Sequence, residues 1–118
     1  MKRELLASFR LAREQRDKGN QQAALELLHD LTTKDPNSAA ILAALGALCW
    51  DMQLWVDAVN AFREALRLSP KLEAASLGLF HCLWELGRRE EAMAELKRFQ
   101  ALSDSEDYRR IVKAMIED

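Results

Sequence analysis

The chain has little of what most functional motifs are made from. It holds two cysteines, two histidines and two prolines in 118 residues, and its formal net charge is −2. Cys49 and Cys82 lie in apolar helical contexts, with no CxxC spacing and no matching pair of histidines. They read as buried thiols acting as small hydrophobes, the alternatives being a structural disulfide or a metal pair. His29 and His81 stand alone on helices. His81 is followed directly by Cys82, but neighbouring helical side chains point about 100° apart and cannot face each other. There is no glycine-rich phosphate loop, no G-x-S-x-G and no H-E-x-x-H. An enzyme is therefore not expected, nor a metal or cofactor. The small net charge excludes a global field for nucleic acid or acidic lipid, although Lys2 to Lys18 is locally basic. No apolar run reaches the ~18 residues that would suggest a membrane span. The opening MKRELLASFRLAREQ is basic and helical, and charges interrupt it before a secretory core could form, so the cytoplasm is the expected location. With 49% apolar and 31% charged residues, the composition suits one soluble helical domain over 1–118.

What is present is periodic. Pro36 and Pro70 are 34 residues apart. Asp35 can cap a helix by accepting backbone N–H bonds, and Pro36 suits a first helical position, where its missing N–H would be unpaired anyway. Ser69-Pro70 repeats that signal, so helix starts are expected at both places. From Ala39 to Pro70, AAILAALGALCWDMQLWVDAVNAFREALRLSP reads as two helices folded back on each other. A period of this size filled by a helix pair is the mark of a solenoid. Counting back gives a first repeat at 5–38, with helices from about Arg3 to Lys18 and Gln21 to Thr33. The central repeat is 39–72, and the third is 73–106, with helices at about Lys71–Leu86 and Arg89–Leu102. Gly19 and Gly87 mark turns in register. After the third pair, Ser103 and Glu106 form a capping box for a seventh helix over about 104–117. Its stripe of Tyr108, Ile111, Val112, Met115 and Ile116 predicts a cap over the open end of the third pair. The alternatives are a tail that docks elsewhere and one that occupies the chain's own groove.

Helix pairs pack tightly when small residues sit where the helices cross and large ones lie a turn away. Ala12 and Gly46 supply the small residue on the first helices, and Ala24, Ala58 and Ala92 on the second. Leu45, Gly46, Ala58, Phe62, Ala65 and Pro70 fall at the spacings of a tetratricopeptide repeat, and the chain resembles that family. The resemblance implies an all-α, right-handed α-solenoid of three helix-turn-helix repeats with a capping helix, and a role in binding other proteins. Three departures stand out. Ser8, Leu42 and Ser76 replace the usual tryptophan, Phe80 fills the small slot of the third repeat, and Asp104 replaces its closing proline. Phe80 predicts a different crossing for that pair.

The face of each first helix opposite its packed stripe carries the candidate binding residues. These are Phe9, Arg10 and Arg13, then Ala43, Ala47 and Trp50, then Leu77, His81 and Trp84. The resemblance implies that these faces line one concave groove. Ala39 to Trp50 has no polar side chain, so the central helix must be covered all round or offer an apolar floor. Trp50 and Trp84 occupy equivalent slots and are expected along one wall. Arg10, Arg13 and Arg16 make a positive lip, and Asp51 and Glu85 a weaker acidic one. Within the family, clamps for acidic chaperone tails use cationic and amide residues on this face. The matching slots here are Phe9, Arg13, Ala44, Ala74 and Gly78, of which only Arg13 is cationic. An apolar or amphipathic peptide segment is therefore the expected ligand. Other three-repeat proteins of the family, among them bacterial secretion chaperones, hold apolar client segments in such a groove. The size and apolar floor fit that mode, although no motif here is specific to it. The module would then be an adaptor or chaperone-like scaffold whose partner is another protein. The competing expectation is self-association, with a homodimer forming through the exposed apolar face.

Overall fold

The computed structural model describes residues 1–117. A short 3-10 turn, Arg3–Leu5, leads into α1 (Leu6–Asp17). Then follow α2 (Gln21–Lys34), α3 (Ala39–Asp51), α4 (Trp55–Leu68), α5 (Glu73–Glu85), α6 (Arg89–Leu102) and α7 (Glu106–Glu117). There is no strand among the described residues, and no helix long and apolar enough to cross a membrane. The odd-numbered helices contact one another in order and form one layer, while α4 bridges α3 and α5 and α2 bridges α1 and α3. The result is an all-α solenoid of three helix pairs, with α7 standing against α5 where the first helix of a fourth pair would be.

The small-residue slots explain the pairing. Ala12, Ala24, Ala58 and Ala92 are at most 1% exposed. Gly46 lies against the Phe62 ring so closely that a Cβ there would come within 2.8 Å of it. Apolar all round, α3 is covered by neighbours on several sides and buries Ile41, Leu45, Gly46, Leu48 and Cys49. The Leu45 slot shows what an end repeat lacks. Leu45 and Leu79 are buried, but their counterpart Leu11 is 43% exposed, since no helix among the described residues packs over that side of α1. In the third pair Phe80 is fully buried and stacks on Trp84, and Ala92 still reaches complete burial on α6.

The helix starts differ from the sequence expectation. Asp35 and Pro36 do not open α3. Ser38 does, its Oγ accepting from the Ile41 N–H. Pro36 falls in a turn before that cap, and Asp35 instead accepts from the Lys2 backbone N–H, tying down the amino end. Likewise α5 starts at Glu73, after a Pro70-Lys71 turn whose Pro70 carbonyl accepts from Arg98. The two prolines therefore mark the inter-pair turns and not the first helical positions. At α7 the capping hydroxyl is that of Ser105, which accepts from the Tyr108 N–H, so the Ser103 box does not form.

One buried polar cluster joins the last three helices. Ser76 occupies a slot where the family usually has tryptophan. Its hydroxyl donates to Glu95 on α6 and shares a 2.8 Å bond with the Tyr108 hydroxyl on α7. Arg98 holds the other side of the Glu95 carboxylate at 2.7 Å. Ser76 and Tyr108 are almost fully buried, so the cluster satisfies polar groups that would otherwise be stranded.

The turn inside each pair places one residue in the left-handed region: Gly19 at φ 83°, Gln53 at φ 60° and Gly87 at φ 75°. Only the central turn uses a side-chain-bearing residue there, which costs about 1 kcal/mol. Gln53→Gly is therefore expected to raise stability by about 0.5–1 kcal/mol in chemical denaturation, and Gly87→Ala to lower it by a similar amount. A second prediction concerns acid. Arg88 and Arg63 hold the Glu91 carboxyl down at about 2 from its ordinary 4.5. A depressed carboxyl stabilises the fold above its unfolded pKa, and that contribution fades as pH falls through the folded value. Wild type should thus be more stable than Glu91→Gln near neutrality, and the difference should vanish between about pH 4 and pH 2 in parallel thermal melts.

Candidate functional site

The period of 34 arranges the inner faces of the odd helices into rows. One row runs Phe9, Ala43, Leu77, Ile111, and the next runs Arg13, Ala47, His81, Met115. Between α3, α5 and α7 these rows border a cleft of about 240 Å³. Ala43 and Ala47 form one side, Leu77 and His81 the middle, and Ile111 and Met115 the far wall. Trp50 closes one end. The floor is the Phe62 ring of α4, reached because Gly78 carries no side chain: a Cβ at that position would lie 2.3 Å from the ring. His81 is the one titratable side chain in the lining.

Of the nine residues expected from sequence, Ala43, Ala47, Trp50, Leu77 and His81 meet in this cleft. Trp50 is only partly buried. It packs edge-on to Trp55 at 6.1 Å and tilts against His81 at 4.9 Å. Its indole Nε1–H is shielded from solvent and has no hydrogen-bond partner among the described residues. Trp84 does not share a wall with it. Trp84 stacks on Phe80 at 5.6 Å, lies 4.2 Å beneath the Arg89 guanidinium, and borders the next opening along, between α5 and the end of α7. The 34-residue step that makes the two tryptophans equivalent also carries the second one a full repeat onward.

Phe9, Arg10 and Arg13 lie outside the cleft, on α1. Arg13 sits 6.0 Å from the Phe9 ring, and Arg10 is exposed. The positive lip is partly neutralised, since Arg16 forms an ion pair with Asp51 at 2.5 Å across α1 and α3. Glu85 lies 3.5 Å from the His81 Nε2 one turn away.

Sequence reasoning missed Phe62, Ile111 and Met115 as lining residues. The sequence pattern gives Phe62 a packing slot only and predicts one covering face from the α7 stripe. The stripe is in fact divided. Tyr108 and Val112 are buried, whereas Ile111 is 37% exposed. A signal for this existed in the sequence: Ile111 and Met115 are Leu77 and His81 advanced by one period.

The cysteines are both free and buried. Burial pushes both thiols up, Cys82 to about 12, with the neighbouring Cys49 adding to the effect. Neither is poised as a nucleophile. No group of three His, Cys, Asp or Glu among the described residues is placed to hold a metal ion. Both thiols should resist a maleimide reagent at pH 8 in the folded protein and react within minutes in denaturant, as followed by mass spectrometry.

The comparisons with known proteins bear on this architecture. The sequence profile described as Tetratricopeptide repeat matches residues 50–115. No curated protein matches the chain by sequence. Among solved structures, the Yersinia enterocolitica type III secretion chaperone SycD, in complex with a peptide of the translocator YopD, superposes with a TM-score of 0.86. That match is 19% identical and covers 99% of this chain and 90% of that one. A crystal structure of MamA superposes with a TM-score of 0.78 at 19% identity, over 84% of this chain and 58% of that one. The chain thus spans little more than half of that MamA. At such identities the likeness concerns the fold. Since the repeat profile covers more than half of the sequence, the chain belongs to the tetratricopeptide repeat family.

Proposed function

We propose that this chain is a protein-binding scaffold that takes an apolar or amphipathic peptide segment in the cleft between α3, α5 and α7. The observation that carries the reading is the lining itself. Nine of its ten residues are alanine, glycine, leucine, isoleucine, methionine, phenylalanine or tryptophan, and the tenth is His81. Alanine and glycine keep the floor open, so a partner's side chain can reach the face of Phe62. Each such side chain removed from water contributes about 25 cal/mol per Å² of apolar area, and small walls let it approach without displacing anything. The cleft is too small for a drug-sized ligand, which needs about 300–1,000 Å³, but has room for one or two large side chains of a bound segment. SycD, whose fold this chain shares, was solved with a translocator peptide, which supports the same class of ligand here.

The lining also argues against catalysis. A reaction needs several polar groups converging on one point, and His81 has only Glu85 beside it, with Asp, Ser and Cys side chains absent from the wall.

Peptides selected from a display library against the wild-type chain supply the probe. Those that bind should carry at least two large apolar residues. Filling the cleft with Ala47→Phe, or charging its far wall with Ile111→Lys, should weaken them tenfold or more by fluorescence anisotropy, with the helical circular dichroism unchanged. Trp84→Ala, outside the cleft, should cost less than either. If the selected peptides bind both cleft variants as tightly as wild type, the cleft is not the recognition surface.

A further inference from the structure

The solenoid has two junctions between successive pairs, and their outer crevices are built differently. In the second, Glu91 is clasped by Arg63 at 3.0 Å and by Arg88 at 2.7 Å, and the side chains of Leu83 and Glu95 lie buried. One period earlier the same positions hold Asp57, His29, Leu54, Cys49 and Ala61. The carboxylate is kept, both arginines are gone, and two large side chains have become small. What remains is an open crevice of about 470 Å³ between α2 and α4, with α3 at its base. Leu54 on its edge is 38% exposed, and Asp57 makes no ion pair among the described residues. The second junction shows what would fill the first: apolar side chains together with a cation for the carboxylate.

The chain carries that combination on a surface it leaves uncovered. Leu6, Ala7, Arg10 and Leu11 lie on the exposed side of α1, Leu6 one turn from Arg10 and Ala7 one turn from Leu11, together spanning about 140° of the helix. Leu6 is 39% and Leu11 43% exposed, and Arg10 makes no ion pair among the described residues. Since α1 packs on α2 and α3 within its own molecule, this face can meet only the crevice of another. We infer that the crevice between α2 and α4 docks the α1 helix of a second copy, with leucines entering it and Arg10 meeting Asp57. The two surfaces are different patches, so the contact is head-to-tail and open-ended, unlike a two-fold dimer.

Sedimentation equilibrium of the full chain tests this. The wild-type mass should rise with concentration and continue past the dimer. Asp57→Arg and Leu11→Glu, both at exposed positions, should each weaken association at least tenfold while the circular dichroism stays the same. Mixed in equal amounts, they should form a one-to-one dimer that grows no further, because each supplies the surface that the other lacks. A wild type that stays monomeric at millimolar concentration overturns the inference. So does a mixture no heavier than its components, or single variants that associate as well as wild type. The cleft variant Ala47→Phe should associate normally, which separates this contact from peptide recognition.

Discussion

The structure depends on the seating of one ring. Phe62 lies between two backbones that carry no side chain where it touches them, Gly46 on α3 and Gly78 on α5. A single aromatic on α4 thereby closes its own pair and joins that pair to the next. Neither glycine accepts a methyl group without moving the ring, because the contacts a Cβ would make are 2.8 Å and 2.3 Å. Interiors packed at this density transmit such a displacement to both neighbouring helices. The same close approach makes the cleft: with no side chain at Gly78, the face of the ring becomes its floor. Packing and the cleft thus share a residue, and a change that deepened the cleft by removing Phe62 would also part α3 from α5.

The repeat was legible because helix pairs write their packing into the sequence locally. A small residue at each crossing and an offset of 34 were enough to place six helices, and the apolar stripe after Ser103 placed the seventh. The bounds were less legible where a turn competed with a cap. Asp35-Pro36 has the chemistry of a helix start, but its carboxylate is drawn to the Lys2 backbone, and Ser38 caps α3 from inside the turn. Ser103 and Ser105 are equally good caps by composition, and only the path of the chain decides for Ser105. In the cleft, five residues were readable from the outward face of α3 and α5. Phe62 was not, because a buried aromatic on a second helix looks like core until one knows that nothing covers one side of it. Ile111 and Met115 were hidden by treating α7 as a lid, when its period makes it a fourth inner helix.

Polarity inside the fold is spent unevenly along the solenoid. The first junction is tied by one ion pair, Arg16 with Asp51, where half-exposed partners contribute about 1 kcal/mol or less. The second carries the Arg63–Glu91–Arg88 cluster, and beyond it the buried Ser76–Glu95–Tyr108 cluster ties the third pair to α7. The buried cluster matters more, because losing one member strands the others away from water. Tyr108 also packs on Phe99 at 4.2 Å, so α7 is fixed to the third pair by an aromatic contact as well as by hydrogen bonds.

That asymmetry bears on function. The cleft proposed for a peptide lies between α3, α5 and α7, beside the more heavily tied junction, and its far wall is the helix that Tyr108 anchors. A wall held in place before the ligand arrives has no ordering cost to meet on binding, so more of the buried apolar area appears as affinity. The first junction has the opposite character, with Leu54 exposed, an Asp57 carboxylate that makes no ion pair among the described residues, and an open crevice. A repeat protein is a sum of local interfaces, so one chain can hold both a rigid cleft and an unfinished crevice without compromise between them. The two surfaces lie in opposite layers, the inner one made by the first helices and the outer one by the second. Occupation of one therefore leaves the other open, so the proposed peptide binding and the proposed end-to-end association are compatible in one chain.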